Sequence, residues 1–206
     1  MKIIVRLLLS AVLFSVLATT VPKFGLSIPS NPLSELFGKV SDFKVASPDF
    51  SVPYDRDEFG KPWADVDKNG CDTRNDILAR DLKNVKASGC RVLAGELFDR
   101  YSGKKLSFVA SDPMAVQVDH IVPLAVAWYS GASRWSDRRR VKFANDPLNL
   151  VATSGKLNMR KAAHTPDQWL PPTRKCAYVK RYAKVVKKYN LSITSATERV
   201  LVSVCK

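Results

Sequence analysis

The apolar positions of the chain gather into short runs separated by polar, turn-forming stretches. In VDHIVPL, the residues Val118, Ile121, Val122 and Leu124 read as a buried strand, because Val and Ile suit the pleated, half-buried surface of a sheet. Asn149-Leu150-Val151 reads as a second short strand. Thr153 or Ser154 can then cap a turn or helix that carries Asn158, Arg160 and Lys161. In YVKRYAKVVKKY, the positions Tyr178, Tyr182, Val185 and Tyr189 recur at intervals of three and four, which puts them on one face of a helix. Lys180, Arg181, Lys184, Lys187 and Lys188 fall mostly on the other face. An extended LSIT follows. Ser195-Ala196-Thr197-Glu198 then has the spacing of a capping box and opens a last helix that runs back beside the basic one. Further upstream, the polar stretch from Asp65 to Gly70 leads into a helix expected over Asn75 to Leu82.

The longest apolar run is at the start, MKIIVRLLLSAVLFSVLATT. A basic beginning, an apolar stretch shorter than the roughly 20 residues of a membrane span and small or modest side chains near a cut site are the pattern of a secretory signal peptide. Residues 1–18 are assigned to it, residues 19–52, rich in Pro and Ser, to a flexible N-terminal arm or linker, and residues 53–206 to one domain. The mature protein is expected outside the cell, with no membrane association after signal cleavage. Four cysteines, Cys71, Cys90, Cys176 and Cys205, form an even set in an exported chain, which favours disulfides. Three pairings exist, and sequence neighbours are expected to pair: Cys71 with Cys90, and Cys176 with Cys205. The absence of a C-x-x-C pair speaks against structural zinc.

The formal charge of +14 is unevenly placed: 17 of the 33 basic residues but only 4 of the 19 acidic ones lie from Arg134 onward. A concentrated positive half points to a polyanionic partner, nucleic acid above all. Arg138, Arg139, Arg140 and Lys142 form one basic cluster and the helix around Lys184 another. Such faces are solvated helix surfaces or phosphate contacts, and both roles remain open here.

Asp119 and His120 lie in the middle of the core-like run, where burying an ionised carboxylate without partners is costly. With two histidines in the chain, His120 and His164, the count speaks against a two- or three-histidine zinc site with conventional spacing. A lone histidine suits general-base work, and the hard oxygens of Asp119 suit Mg²⁺, Mn²⁺ or Ca²⁺. Strand with Asp-His, strand with Asn, helix with Asn and Lys is the layout of a ββα-metal fold. Asp119-His120-Ile121-Val122-Pro123-Leu124, Ala127-Trp128, Ser130-Gly131-Ala132 with Trp135, Phe143-Ala144-Asn145-Asp146, Asn149-Leu150 and Asn158 with Lys161 together resemble secreted HNH endonucleases related to the C-terminal domain of GmrSD-type restriction enzymes. Gly70-Cys71-Asp72-Thr73-Arg74-Asn75 extends the resemblance upstream. Lys161-Ala162-Ala163 departs from the Lys-Gly/Ser-Asp expected in that group.

The resemblance implies an α+β domain with a ββα-metal (HNH) core, surrounding helices and two disulfides. It implies a secreted endonuclease that hydrolyses DNA, or RNA as well, with weak sequence specificity. His120 would be the general base and Asn149 would orient it. Asp119 and Asn158 would hold one divalent metal, Mg²⁺ first, with Mn²⁺ or Ca²⁺ as alternatives. Lys161 would hold phosphate or the fold. Arg74 either clamps a phosphate or pairs with Asp72, Asp76 or Asp81, and Arg139 and Arg160 are further candidates for substrate contact. Asn145-Asp146 reads as a turn and His164 as a surface residue. The loop Asp65–Asp76 partly mimics an EF-hand, though the bland reading is a polar turn. No obligate protein partner is evident. A secreted cationic protein that binds nucleic acid without cleaving it is the rival, and an intracellular toxin-like nuclease ranks below both.

Overall fold

The computed structural model describes residues 42–206; the expected signal peptide and most of the arm lie outside the described residues. Six helices are present among these: α1 (Thr73–Asp81), α2 (Leu124–Tyr129), α3 (Asp137–Ala144), α4 (Gly155–Lys161), α5 (Lys175–Tyr189) and α6 (Ser195–Ser203). The strands form three small sheets. β1 (Lys44–Val45) pairs in parallel with β7 (Ser192–Ile193). β2 (Leu82–Ser88), β3 (Arg91–Phe98) and β4 (Lys105–Val109) form an antiparallel meander. β5 (Val116–His120) pairs antiparallel with β6 (Leu150–Ser154), in register from Val116 opposite Ser154 to His120 opposite Leu150. None of the described helices is long and apolar enough to cross a membrane.

The β5–β6 pair sits between two cores, because successive side chains on a strand point to opposite faces. On one face, Val116, Val118, Leu150 and Ala152 pack with Ile77 and Leu78 of α1 and with Val92, Leu97 and Phe108 of the meander. On the other, Val151 joins Leu157 of α4 and the aromatic face of α5. That face is the one read from periodicity: Tyr178, Tyr182, Val185 and Tyr189 are all buried. The turn from β6 into α4 is tight. A Cβ on Gly155 would meet the Met114 carbonyl oxygen at 1.9 Å, so glycine alone lets the backbone approach there.

Element ends differ from expectation by small, explicable amounts. α1 starts at Thr73, earlier than Asn75, because the Asp72 carboxylate accepts the Asn75 N–H at 2.8 Å and caps it. α6 is capped by Thr194, which accepts from Thr197 N–H at 3.1 Å, one residue ahead of the expected box. Ser154 precedes α4 but makes no capping bond; the neighbouring Thr153 hydroxyl turns instead to Asp99 at 2.6 Å. Residues 42–52 also differ from a loose arm. Phe43 is buried in the second core, Ala46 and Asp49 donate backbone bonds of 2.9 Å to Ile193 and Tyr129, and Trp128 Nε1 donates to Val52 O at 2.9 Å. The packed chain therefore begins ahead of residue 53.

The loop from Asp65 to Asp76 is a polar turn. Asp65 accepts the N–H groups of Asn69 and Gly70 at 3.2 and 3.0 Å, and the Asn69 amide reaches Asp67 and Asp76 at 3.3 and 3.2 Å. Among the described residues, no three His, Cys, Asp or Glu side chains gather closely enough to hold a metal ion.

Both expected disulfides are present, Cys71–Cys90 and Cys176–Cys205, with Cα–Cα separations of 5.3 and 4.8 Å. In the chain-entropy model each stabilises the fold by about 3 to 4 kcal/mol. The double variant Cys176→Ser/Cys205→Ser is expected to lose about 3 kcal/mol in an equilibrium urea unfolding experiment, with α5 and α6 still formed by circular dichroism.

Candidate active site

β5 ends at His120, and the chain turns through Ile121, Val122 and Pro123 into α2. Asn149 fixes that turn. Its side chain accepts the Val122 N–H at 2.8 Å and donates to the Val122 carbonyl at 3.2 Å, while its own carbonyl accepts the Ile121 N–H at 2.7 Å. Asn149 thus acts on the backbone just past His120 rather than on the imidazole.

The ring itself is held by two other groups. His120 Nε2 lies 2.8 Å from the carbonyl oxygen of Ala144, the last residue of α3, where carbonyls lack a partner within the helix. A carbonyl can only accept, so Nε2 carries the hydrogen and Nδ1 keeps its lone pair. The indole of Trp63 stacks beside the imidazole, with ring centroids 6.0 Å apart and planes 14° from parallel. Trp63 itself adopts a left-handed backbone, φ 58°, a costly conformation for a bulky residue and one found at sites where the surroundings fix it. Burial pulls the His120 pKa down to about 4; the bond to Ala144 opposes this, and the cations Arg56 and Lys161 add to it. At neutral pH the imidazole is uncharged and able to take a proton.

Asp119 faces the other way. Its carboxylate accepts the Tyr101 hydroxyl at 2.6 Å and the Lys161 ammonium at 3.0 Å. Lys161 is fully buried at 0% exposure and donates a second bond, 2.8 Å, to the His120 carbonyl. Of the two roles expected for it, it holds the fold. Burial pushes the Asp119 carboxyl above its ordinary range, with Lys161 and Tyr101 pulling the other way. One turn earlier on α4, Asn158 donates its amide to Gln117 Oε1 at 2.8 Å, which fixes the amide orientation and leaves Oδ1 for another partner. A carboxylate offers about four lone-pair positions, so Asp119 retains acceptor capacity beyond its two protein partners. Asp119 and Asn158 are the residues lining this cleft whose hard oxygens could hold a divalent cation.

These residues meet in one cleft of about 330 Å³, lined by Arg56, Asp119, His120 and Asn158 together with Tyr54 and Pro123. A smaller pocket of about 30 Å³ lies against His120 as well, lined by Arg56, Lys61, Trp63 and Asn145. Three of the expected chemical residues, Asp119, His120 and Asn158, thus share one cavity wall, and Asn149 stands behind it. The expected arginines are not part of that wall. Arg74 lies over the Phe108 ring at 5.8 Å. Arg139 covers Trp135 at 4.5 Å and donates to the Tyr189 carbonyl at 2.8 Å. Arg160 is exposed on α4, and His164 is exposed beyond it. Asp146 is structural, accepting from Leu148 N–H, Lys188 and Tyr189. The cations that do line the cavities, Arg56 and Lys61, come from the half of the chain whose charge is nearly balanced, so no charge cluster marks them. Nor did any pattern single out Tyr101. Trp63 likewise lies in no periodic or charged pattern.

Residues 72–204 match the family described as GmrSD restriction endonucleases, C-terminal domain. The chain belongs to this family. An uncharacterized secreted protein of Arthroderma benhamiae is 39% identical over 155 residues, covering 73% of each chain. No solved structure matches. The GmrSD C-terminal domain match begins at the cap of α1 and includes Asp119, His120, Asn149 and Asn158, whereas Arg56, Lys61 and Trp63 precede it.

Removing one member of a buried ion pair strands the other, at a cost of roughly 3 to 5 kcal/mol. Lys161→Met is expected to destabilise the protein by about that amount in urea unfolding, and the double variant Asp119→Asn/Lys161→Met to recover a substantial part of the loss.

Proposed function

We propose that this domain is a secreted HNH endonuclease that hydrolyses phosphodiester bonds in DNA, with RNA as the alternative substrate, and with β5, β6 and α4 as its ββα-metal core. The observation that carries this reading is the neutral His120, its hydrogen fixed on Nε2 by Ala144 and its Nδ1 free, beside a cleft that also offers Asp119 and Asn158. His120 accepts a proton from the attacking water at Nδ1. Arg56 and Lys61 draw the phosphates of the bound strand toward the cavities around His120. Asp119 and Asn158 would hold a divalent cation, Mg²⁺ first, which when bound stabilises charge on the phosphate and the leaving oxygen. Lys161 already balances the Asp119 charge, so that cation is expected to bind weakly. Contacts of this kind read backbone rather than base edges, which favours weak sequence specificity. The membership in a restriction-endonuclease family, the two disulfides and the relative named as secreted support nuclease chemistry outside the cell.

Plasmid DNA incubated with the mature protein is expected to be nicked in Mg²⁺ and spared in EDTA. His120→Ala should cut roughly 10² to 10⁴ times more slowly while still binding. Equal cutting by His120→Ala, or no cutting in any divalent metal, would leave a cationic nucleic-acid-binding protein without catalysis.

The pH dependence follows from the depressed His120 pKa. The neutral form is the active one, so cleavage should persist at pH 5 and fall only as pH approaches about 4. An ordinary histidine would lose half its activity near pH 6.5. Stability moves in the same direction: between about 4 and 6.5 the unfolded chain binds the proton and the folded one does not, so stability declines as pH falls through that window.

A further inference from the structure

A second cavity of about 270 Å³ opens beside the cleft and shares Ala125 and Ala163 with it. Its size approaches the lower end of small-molecule sites, roughly 300 to 1,000 Å³. Three observations define what it would accept. Phe50, one of its lining residues, is 69% exposed and packs its ring 4.6 Å from that of Tyr129, so an aromatic surface stands open to solvent at the cavity. Tyr182, also lining it, is fully buried, and its hydroxyl has no hydrogen-bond partner among the described residues, a state that costs free energy and calls for an explanation. The Gln168 side-chain oxygen takes the Thr165 N–H at 3.1 Å, which leaves its amide nitrogen to donate.

Charge narrows the choice further. Among the described residues, Asp167 is the one charged residue lining the cavity, and its Oδ1 already accepts the hydroxyls of Thr165 and Thr197 at 2.8 and 2.6 Å. The surroundings suit neither a phosphate nor a cation. They suit a flat, neutral group with hydrogen-bonding edges.

We propose that this cavity receives an unstacked nucleobase of the strand whose phosphate occupies the neighbouring cleft. The inference rests on the nucleic-acid reading of that cleft and adds a substrate preference to it. Phe50 and Tyr129 supply the stacking surface, and Gln168 and Tyr182 the polar contacts. A base must leave its neighbours to enter, and pairing opposes that step, so single-stranded or frayed nucleic acid is the better substrate. Such stacking tolerates every base, since each has a π-face, while Gln168 and Tyr182 give a mild bias among them.

The test uses the full chain carrying His120→Ala, so that binding is read without cleavage. Single-stranded oligonucleotides carry 2-aminopurine or an abasic site at successive positions. A fluorescence change confined to one position is expected. An abasic site at that position should weaken binding roughly tenfold, the scale of one lost base–aromatic stack. Phe50→Ala should weaken the intact oligonucleotide by a similar factor and leave the abasic one unchanged. Tyr182→Phe should keep the stacking signal and alter the preference among bases. The duplex of the same sequence should bind more weakly than the single strand. Equal affinity for all abasic oligonucleotides, or equal weakening of intact and abasic strands by Phe50→Ala, overturns the proposal. Neither result touches hydrolysis, which is read on the wild-type protein; failure of wild type to cut plasmid overturns hydrolysis while leaving the base-entry measurement in place.

Discussion

The buried contact between Asp119 and Lys161 is the interaction on which the rest of the site depends. It joins the end of β5 to the end of α4, and the same ammonium binds the His120 carbonyl. One cation therefore sets the position of the strand end, the helix end and the backbone of the candidate base. Tyr101 completes the arrangement from the turn between β3 and β4. A carboxylate placed in a core-like run is tolerable because its charge is met inside the protein.

The two adjacent residues of the Asp-His pair divide their work by the alternation of the strand. Asp119 looks toward α4 and Tyr101, and His120 toward Trp63 and the end of α3. Neither core could hold both side chains. Because β5 stops at His120, the cleft reaches both faces at the strand end, and residues with opposite orientations line one cavity. The regular register with β6 up to His120 means that the end of the strand, rather than a bulge within it, makes this access.

Much of this was legible in the sequence where local periodicity or spacing governs. The aromatic face of α5 follows from intervals of three and four. The short strands at Val118 and Leu150, and the helix bearing Asn158 and Lys161, follow from pattern, although the cap expected at Thr153 or Ser154 is not made. The pairing of neighbouring cysteines was expected and is found. What the sequence did not display was long-range. Tyr101 reaches Asp119 across 18 residues and Trp63 reaches His120 across a larger gap, and neither lies in a periodic or charged pattern. Asn149 was expected on the imidazole and instead holds the backbone of Val122, because the ring is already engaged by a helix-end carbonyl that no side-chain motif can announce. Arg74 and Arg139 stand over the rings of Phe108 and Trp135 and do not line the cleft, a placement that for Arg74 is set by an aromatic neighbour distant in sequence. The arm from residue 42 looked structureless because its ties are made mostly through backbone atoms, to which composition is blind.

The two disulfides lie in different layers of the molecule. Cys71–Cys90 ties the loop ahead of α1 to the turn between β2 and β3, and Cys176–Cys205 ties the start of α5 to the end of the chain just beyond α6. Each core thus carries its own covalent clasp, and the β5–β6 pair lies between the two. A single cut between Cys71 and Cys90, or between Cys176 and Cys205, leaves the severed ends joined through sulfur. Cleavage inside either loop becomes a nick instead of the loss of a fragment.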